Sequence, residues 1–475
     1  MSTFSGLTTA YSGLTAARQG LDVVGQNIAN ATTAGYTRQR VTTAEVGALP
    51  GNGPLFAGRV QVGQGVSVES IARLGDVYLD ARVRTAAATS GNLAVQSNAL
   101  RTVEASLGEP GASGISSQLQ SYWAAWQDVA NHPGEPAPAE VLLVQAKQLT
   151  GTVAAGYTAV DNAWSETRSK LSGMADELND AGARVADLNG RIRSTLAAGG
   201  SANELLDQRN SLTTTIAALT GGTVRTLTDG TADVLIGGNA LVSGDTFRAV
   251  KVVGSNLMSG VGAAPVALEW ASRPGVTVAV DSGEIAGSIS LLAPPNGTGT
   301  GGAIAEAAAG YNAFATTLAA QINAVHRAGS TTTGVTGLDF FSVAAVGPAA
   351  LGLGVVPTSA AGLATGTPGA GALDGSNADA IGNIGGTAGS PDLVWSAFVT
   401  SIGVATKSST QQATLAQSAS TSASKSQLAN SSVDLDEESL NMVTFQKAYQ
   451  GAARVMTAVD EMLDVLINRT GLVGR

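Results

Sequence analysis

FSGLTTAYSGLTAARQGLDVVGQNI (residues 4–28) and MVTFQKAYQGAARVMTAVDEMLDVL (residues 442–466) stand at opposite ends of the chain and carry the same apolar code. In the first run, heptad positions a and d fall on Phe4, Leu7, Tyr11, Leu14, Arg18, Leu21, Gly25 and Ile28. In the second they fall on Met442, Phe445, Tyr449, Ala452, Met456, Val459, Leu463 and Leu466. Alternating steps of three and four mark a helix that buries one narrow seam against another helix. At about 1.5 Å per residue, each run makes a rod of roughly 36 Å. Two seams of equal length predict that the ends of the chain return to one place and pair as a coiled-coil-like unit. An assembly interface is therefore expected on Phe4, Leu7, Tyr11, Leu14, Leu21, Ile28, Met442, Phe445, Tyr449, Met456, Val459, Leu463 and Leu466.

Charge placement sharpens this expectation. Lys447, Arg454, Asp460, Glu461 and Asp464 all avoid the a and d positions, which leaves the last helix one solvated face. Residues 1–37 hold only two charged side chains, Arg18 and Asp22, where an average chain carries about a quarter charged residues. A helix so poor in ions suits a surrounding of protein better than one of water, and alone it is marginal. The termini are expected to become ordered mainly on assembly.

Outward from the ends, 475 residues exceed what one hydrophobic core sustains, and two to four domains are expected. With 44% hydrophobic but only 4% aromatic residues, and with 60 Gly, the cores must be built of Ala, Val and Leu between many turns. The net charge of −10 and the lack of a Lys/Arg cluster argue against binding nucleic acid or an acidic membrane surface. Cysteine is absent, which excludes disulfides and thiolate metal sites. The longest uncharged stretch, 340–373, contains seven Gly and three Pro and cannot insert in a membrane as a helix. No apolar leader precedes Arg18, so export would need a route without a cleaved signal.

The period of the pattern divides the chain. Residues 1–36 form the N-terminal helix and its turn. Residues 37–220 read as a helical rod, with short strands within 55–72 (Val60–Val62, Val66–Val68) and helices at 76–107, 116–130, 139–198 and 202–219. A Pro-rich break, 132–138, interrupts them. From 221 to 292 the period falls to two, with Asp229-Gly230, Gly237-Gly238 and Gly244-Asp245 as hairpin punctuation, and Val276–Val280 and Ile289–Leu291 repeat the style. This predicts an all-β module. Residues 293–328 form a connector and helix, 329–391 a Gly/Ala/Thr-rich outer lobe or loop, 392–430 a return helix of the rod, and 431–475 the C-terminal helix, opened by a capping box at Asp434 and Glu437. The fold class is mainly α with an inserted all-β module.

Little in the chain suggests catalysis. Gly297-Thr-Gly299-Thr-Gly-Gly302 matches a dinucleotide fingerprint, but Pro294-Pro295 breaks the strand before it and no second hydrophobic strand follows the helix. A connector is the better account. Of two histidines, His132 lies in the proline break and His326 in the last turn of a helix, where the macrodipole favours a cation. Neither has a second ligand at metal spacing. No cofactor, no metal and no enzyme activity are expected.

Four motifs carry a resemblance. Leu21-Asp-Val-Val-Gly-Gln-Asn27-Ile-Ala-Asn30-Ala-Thr-Thr-Ala-Gly35-Tyr36-Thr-Arg38-Gln39 resembles the N-terminal signature of bacterial flagellar axial proteins, meaning rod, hook and hook-associated proteins. Glu437-Glu-Ser-Leu-Asn441-Met-Val-Thr-Phe445-Gln446-Lys-Ala-Tyr449-Gln resembles their C-terminal signature. Leu205-Leu-Asp207-Gln208-Arg209-Asn210, and Gly337-Leu-Asp339-Phe340-Phe341 after Ile322-Asn323-Ala-Val-His326, look like the hook-associated branch at the hook–filament junction. The resemblance implies an elongated, multidomain structural subunit, secreted through the flagellar type III apparatus and located outside the cell. Its implied partners are further copies of itself, the hook protein, the next hook-associated protein on the filament side, and an export chaperone on the C-terminal helix. A larger outer domain, common in the family, is replaced here by residues 329–391. Two alternatives remain: a hook or distal rod protein sharing the terminal signatures, and an extracellular adhesin whose β module binds a ligand.

Overall fold

In the computed structural model, which describes residues 3–47 and 63–468, α1 (Thr3–Ala29) leads into a hairpin of β1 (Gln39–Glu45) and β2 (Val66–Arg73). Then come α2 (Val77–Leu107), α3 (Ile115–Asn131), α4 (Pro136–Ala197) and α5 (Asn203–Thr220). Six short strands follow: β3 (Thr223–Thr226), β4 (Ala232–Ile236), β5 (Asn239–Ser243), β6 (Thr246–Phe247), β7 (Val250–Val253) and β8 (Ala267–Trp270). The chain continues through α6 (Gly283–Leu291), α7 (Ala303–Ala328), β9 (Phe341–Ser342), β10 (Gly354–Val355), α8 (Ser376–Gly382), α9 (Pro391–Ser431) and α10 (Leu435–Asn468). The fold is mostly helical, with small antiparallel sheets. The expected strand at Val60–Val62 lies outside the described residues.

The spine is α4, whose 62 residues span about 93 Å. It starts inside the proline break because Pro136 and Pro138 sit in the first turn, where a missing N–H costs nothing. Trp164, Leu171, Leu178, Val185 and Ile192 recur every seven residues and are fully buried, so one face of the spine collects α3, α7, α6, α5 and the strands in turn. Alongside, α9 retraces α2 in the opposite direction. Ser97 meets Thr410 at 3.2 Å, Ser90 donates to Gln417 at 2.9 Å and Gln427 to Asp80 at 2.5 Å. That return brings α10 back to α1.

Strands β3 to β6 form an antiparallel meander, with positive φ at Gly230, Gly237, Gly238 and Gly244. Two parts of the β expectation differ. Residues 276–280 contribute only a bridge between Thr277 and Glu269, and 289–291 belong to a helix. In α6 the fully buried residues are Ile285, Ser288 and, just beyond it, Leu292, at three- and four-residue spacing; the alternation of Ile289 and Leu291 is incidental to that face.

Within residues 329–391, expected as an outer lobe or loop, short elements alternate with loop and are pinned to the rod. Phe340 and Phe341 are fully buried against Tyr122 and Trp126 of α3. The Asn323 carboxamide accepts the N–H of both phenylalanines, at 2.9 and 2.8 Å, and donates to the Phe341 carbonyl at 2.7 Å. His326 is also fully buried, its Nδ1 2.7 Å from the Leu338 carbonyl, while Nε2 accepts the Ala364 N–H at 3.0 Å. A ring that accepts at Nε2 is neutral and donates through Nδ1. Burial pushes its pKa down, outweighing the backbone hydrogen bond and Asp339. The cation expected from the helix dipole is therefore absent: desolvation wins over the macrodipole.

Candidate assembly site

The terminal helices pack antiparallel, and the register can be read from glycines. A Cβ placed on Gly6 would lie 3.7 Å from Val459, on Gly13 3.8 Å from Ala452, and on Gly20 2.4 Å from the Phe445 ring. Asn27 reaches Glu438 at 3.1 Å. Each step of seven along α1 is matched by a step of seven back along α10.

On α10 the facing residues Phe445, Ala452 and Val459 are d positions of the expected seam. On α1 the residues that meet α10 are Gly6, Gly13, Gly20 and Asn27, each one residue before a d position, or about 100° around the helix, and the buried Ala10, Ala17 and Val24 stand one residue before the a positions Tyr11, Arg18 and Gly25. The expected pairing of Leu7, Leu14, Leu21 and Ile28 with the α10 seam is thus corrected: small residues face α10 because they let two backbones approach closely. A second side of α1 lies on the hairpin, where Ser12 accepts the Val66 N–H at 3.2 Å. The apolar ridge is the third side. Leu7, Leu14, Leu21 and Ile28 on it are half-buried, and Tyr11 is 62% exposed. On α10, Met442, Phe445, Met456 and Leu463 are half-buried, Val459 is buried and Tyr449 is 38% exposed. The side chains of Phe4 and Leu466 lie outside the described residues.

A polar joint fastens this pair to the rod. Residues 36–39 are its splice. The Tyr36 hydroxyl donates to Asn27 Oδ1 at 2.8 Å, the Thr37 N–H to Asp207 at 3.0 Å, and the Arg38 N–H to the Ser431 carbonyl at 2.9 Å. The Arg38 guanidinium grips two neighbouring carboxylates of α10, Glu437 at 2.8 Å and the buried Glu438 at 2.7 Å. Asn27 also exchanges two bonds with the Gln39 backbone, and Asn203 donates to the Gln39 side chain at 3.0 Å. The second Asp207 oxygen accepts from Arg73 at 2.5 Å. Burial first, then Asp207, Glu204 and Glu438, pushes the Tyr36 hydroxyl up to about 12, so it stays a donor. The hydrogen bond to Arg38 holds Glu437 below the usual range. Asp434 caps α10 by accepting from the N–H groups of Asp436 and Glu437; the expected reciprocal half of the box is missing because Glu437 is drawn to Arg38.

Two residues further along the chain, Arg209 of α5 donates to Asn189 at 2.9 Å and to the Gly230 carbonyl at 2.7 Å. Asn210 accepts from Arg84 at 3.1 Å. Asp207, Arg209 and Asn210 thus tie the hairpin, the spine, the meander and α2 to one turn of helix. Periodicity could not find these ties, since none is apolar.

Comparison with known proteins follows the same division. The family description for the flagellar hook-associated protein FlgK helical domain matches residues 100–341, half of the chain. The chain belongs to the FlgK family. The FlgK match covers the spine and the meander, whereas residues 7–37 match the flagella basal body rod protein family and 425–469 the C-terminal region of the FlgEFG basal body rod proteins. Among relatives, the Bacillus subtilis flagellar hook-associated protein 1 is 28% identical over the whole length of both chains. The Salmonella typhimurium protein of that name is 27% identical over 68% of this chain and 56% of its own. The flagellar hook junction protein FlgK from Burkholderia pseudomallei superposes with a TM-score of 0.64 at 14% identity, over 74% of this chain and all of that one. As a FlgK-family member the chain is a structural protein of the bacterial flagellum and not an enzyme.

The remaining candidate chemistry resolves accordingly. The 297–302 loop is filled by its own chain: Glu306 Oε1 accepts the N–H groups of Asn296 and Gly301 at 2.7 and 3.2 Å, where a phosphate would have to sit. Among the described residues no group of His, Asp and Glu is arranged to hold a metal ion, and no helix is long and apolar enough to cross a membrane.

Proposed function

We propose that this chain joins hook to filament as a structural subunit, and that copies assemble through the paired α1 and α10. The observation that carries this reading is the three-sided use of α1. One side meets α10 and a second the hairpin, while on the third Tyr11 is 62% exposed and Leu7, Leu14, Leu21 and Ile28 are only partly buried, on a helix with two charges. Contacts are heterologous: the ridge of one copy meets a different face of the next, such as the outer side of α10, and the array grows as a helix or ring. Burying each ridge side chain contributes about 1.5–3 kcal/mol at most. The wider expected interface, Met442 to Leu463 on α10 included, belongs to the same assembly surface.

The neighbours are the hook protein on one side and the next hook-associated protein on the other. The subunit reaches them by the flagellar export route, its C-terminal helix held by a cytoplasmic chaperone until then. The rod-type matches at both ends fit a terminal unit shared by all axial proteins, and the FlgK match of the middle disfavours a hook or rod protein.

Leu14→Asp tests the reading. Circular dichroism and melting of the purified variant should match the parent, while cells carrying it should shed flagellin and build hooks without filaments. Normal filaments on the variant would refute the ridge as an assembly surface.

A further inference from the structure

We infer that Met442, Met456 and Met462 form an oxidation site on the assembly helix, open in the free subunit and closed in the assembled one. The chain has six methionines and no cysteine, so thioethers are its only readily oxidised sulfur. Met1 lies outside the described residues. Met258 is buried in the core, and Met174, half-buried like Met442 and Met456, packs against that core with Ser288 Oγ 3.8 Å from its sulfur. The other three all lie within 21 residues of α10. Met442 and Met456 share the seven-residue row of Tyr449, beside the seam that faces α1, and both are half-buried. Met462 stands in the adjoining row with Val455, and these two are 52% and 51% exposed.

Susceptibility of a thioether follows its exposure. With hydrogen peroxide as oxidant, the sulfur attacks one peroxide oxygen, an S–O bond forms as the O–O bond breaks, and the departing hydroxide takes the remaining proton to become water. Sulfur loses two electrons and peroxide gains them. The product is a polar, chiral sulfoxide where a flexible apolar side chain stood, a change that disrupts methionine-rich contacts. At Met462 it leaves the subunit folded, because the side chain faces solvent; it spoils the surface a neighbouring copy must dry. The inference rests on α10 being an assembly surface.

The experiment uses the full-length protein treated with millimolar hydrogen peroxide, peptide mapping by mass spectrometry, and co-sedimentation with isolated hooks. Sulfoxide should form several-fold faster at Met462 than at Met258, with Met442 and Met456 between them. Treated protein should lose co-sedimentation, whereas protein already bound to hooks should resist oxidation at Met462. With each variant compared with its own untreated sample, Met462→Leu should lose a smaller fraction of its binding on treatment than the parent does, and Met442→Leu/Met456→Leu/Met462→Leu a smaller fraction still. Equal oxidation at Met258, undiminished binding of the oxidised protein, or equal loss in the leucine variants would overturn the inference. Untreated protein that never sediments with hooks would instead overturn the assembly reading itself.

Discussion

Gly20→Ala and Gly13→Ala should move the terminal pair in opposite directions, although both add one methyl to the same face of α1. Replacing a helix-interior glycine by alanine lowers the conformational entropy of the unfolded chain and stabilises by about 0.5–1 kcal/mol. At Gly13 the new Cβ would meet Ala452 at 3.8 Å, an ordinary carbon–carbon contact, so the propensity gain is kept in full. At Gly20 it would meet three carbons of the Phe445 ring at 2.4, 2.5 and 2.7 Å, Cγ among them. Restoring normal contact requires a displacement of about 1 Å, and because Cγ is anchored to the helix, the ring cannot simply swing its tip aside. Overpacking costs about 1–3 kcal/mol; three ring carbons inside 3 Å put Gly20 in the upper part of that range, about 2–3 kcal/mol, which leaves a net loss of about 1–2.5 kcal/mol after the propensity gain. Gly25→Ala, with nothing within 4 Å of its Cβ, calibrates propensity alone. The assay is amide hydrogen exchange, read separately on peptides from α1, α10 and α4. Since about 1.4 kcal/mol is a factor of ten in an equilibrium constant, exchange in α1 and α10 should quicken roughly tenfold in Gly20→Ala and slow several-fold in Gly13→Ala, with α4 unchanged. Equal protection in the two variants would mean that the glycine face does not lie on α10 and would refute the pairing.

Asp207→Asn removes the nearer of the two carboxylate partners of Arg73, leaving Asp80 at 3.9 Å, and costs the joint about 1–3 kcal/mol; proteolysis between residues 30 and 39 should quicken while the melting of the rod holds. For His326 the sign follows from burial. The folded ring has a pKa below 6.5, the unfolded one close to 6.5, so below about pH 6.5 the unfolded chain takes up a proton that the folded chain refuses. Stability should fall as pH drops through that value, with a slope approaching about 1.4 kcal/mol per pH unit, and His326→Gln should show a shallower slope in urea titrations between pH 7.5 and 5.5. An unchanged slope would assign the pH dependence to carboxylates.

The helices were legible wherever one apolar row recurred long enough, as in the seven-residue row of α4 from Trp164 to Ile192. What apolar spacing does not specify is the partner of a face. On α1 it marked the Leu7–Leu14–Leu21 ridge, but the intrachain contact belongs to the glycines beside it. A signal for them was present: Ser5-Gly6-Leu7-Thr8 recurs as Ser12-Gly13-Leu14-Thr15, and Gly20-Leu21 continues the step. Three glycines inside a helix each cost stability, and their heptad spacing points to close approach. The 329–391 segment hid for another reason. Its order comes from single tertiary ties, Asn323 to two phenylalanine amides and His326 to Leu338 and Ala364, which composition cannot register. Asn27, Tyr36, Arg38, Glu438 and Asp207 belong to the family signatures, and the joint gives each of them a physical role.

The choice of small residues for the intrachain seam has an energetic consequence for assembly. Ala10, Gly13, Ala17 and Gly20 bury little apolar area, so the α1–α10 contact draws modest stabilisation from the hydrophobic effect, which scales with area. The polar joint holds only the ends near Asn27 and Glu438. Leu7, Leu14, Leu21 and Ile28, each worth about 1.5–3 kcal/mol when fully buried, remain available on the other side. A pair built this way is set in register by its own chain, and in the proposed assembly it would gain further apolar stabilisation from its neighbours. Substituting leucine for the glycines would invert that order: the overpacked seam would force α1 away from α10 and turn the ridge with it, and assembly would fail even though the total apolar content of the helix had risen.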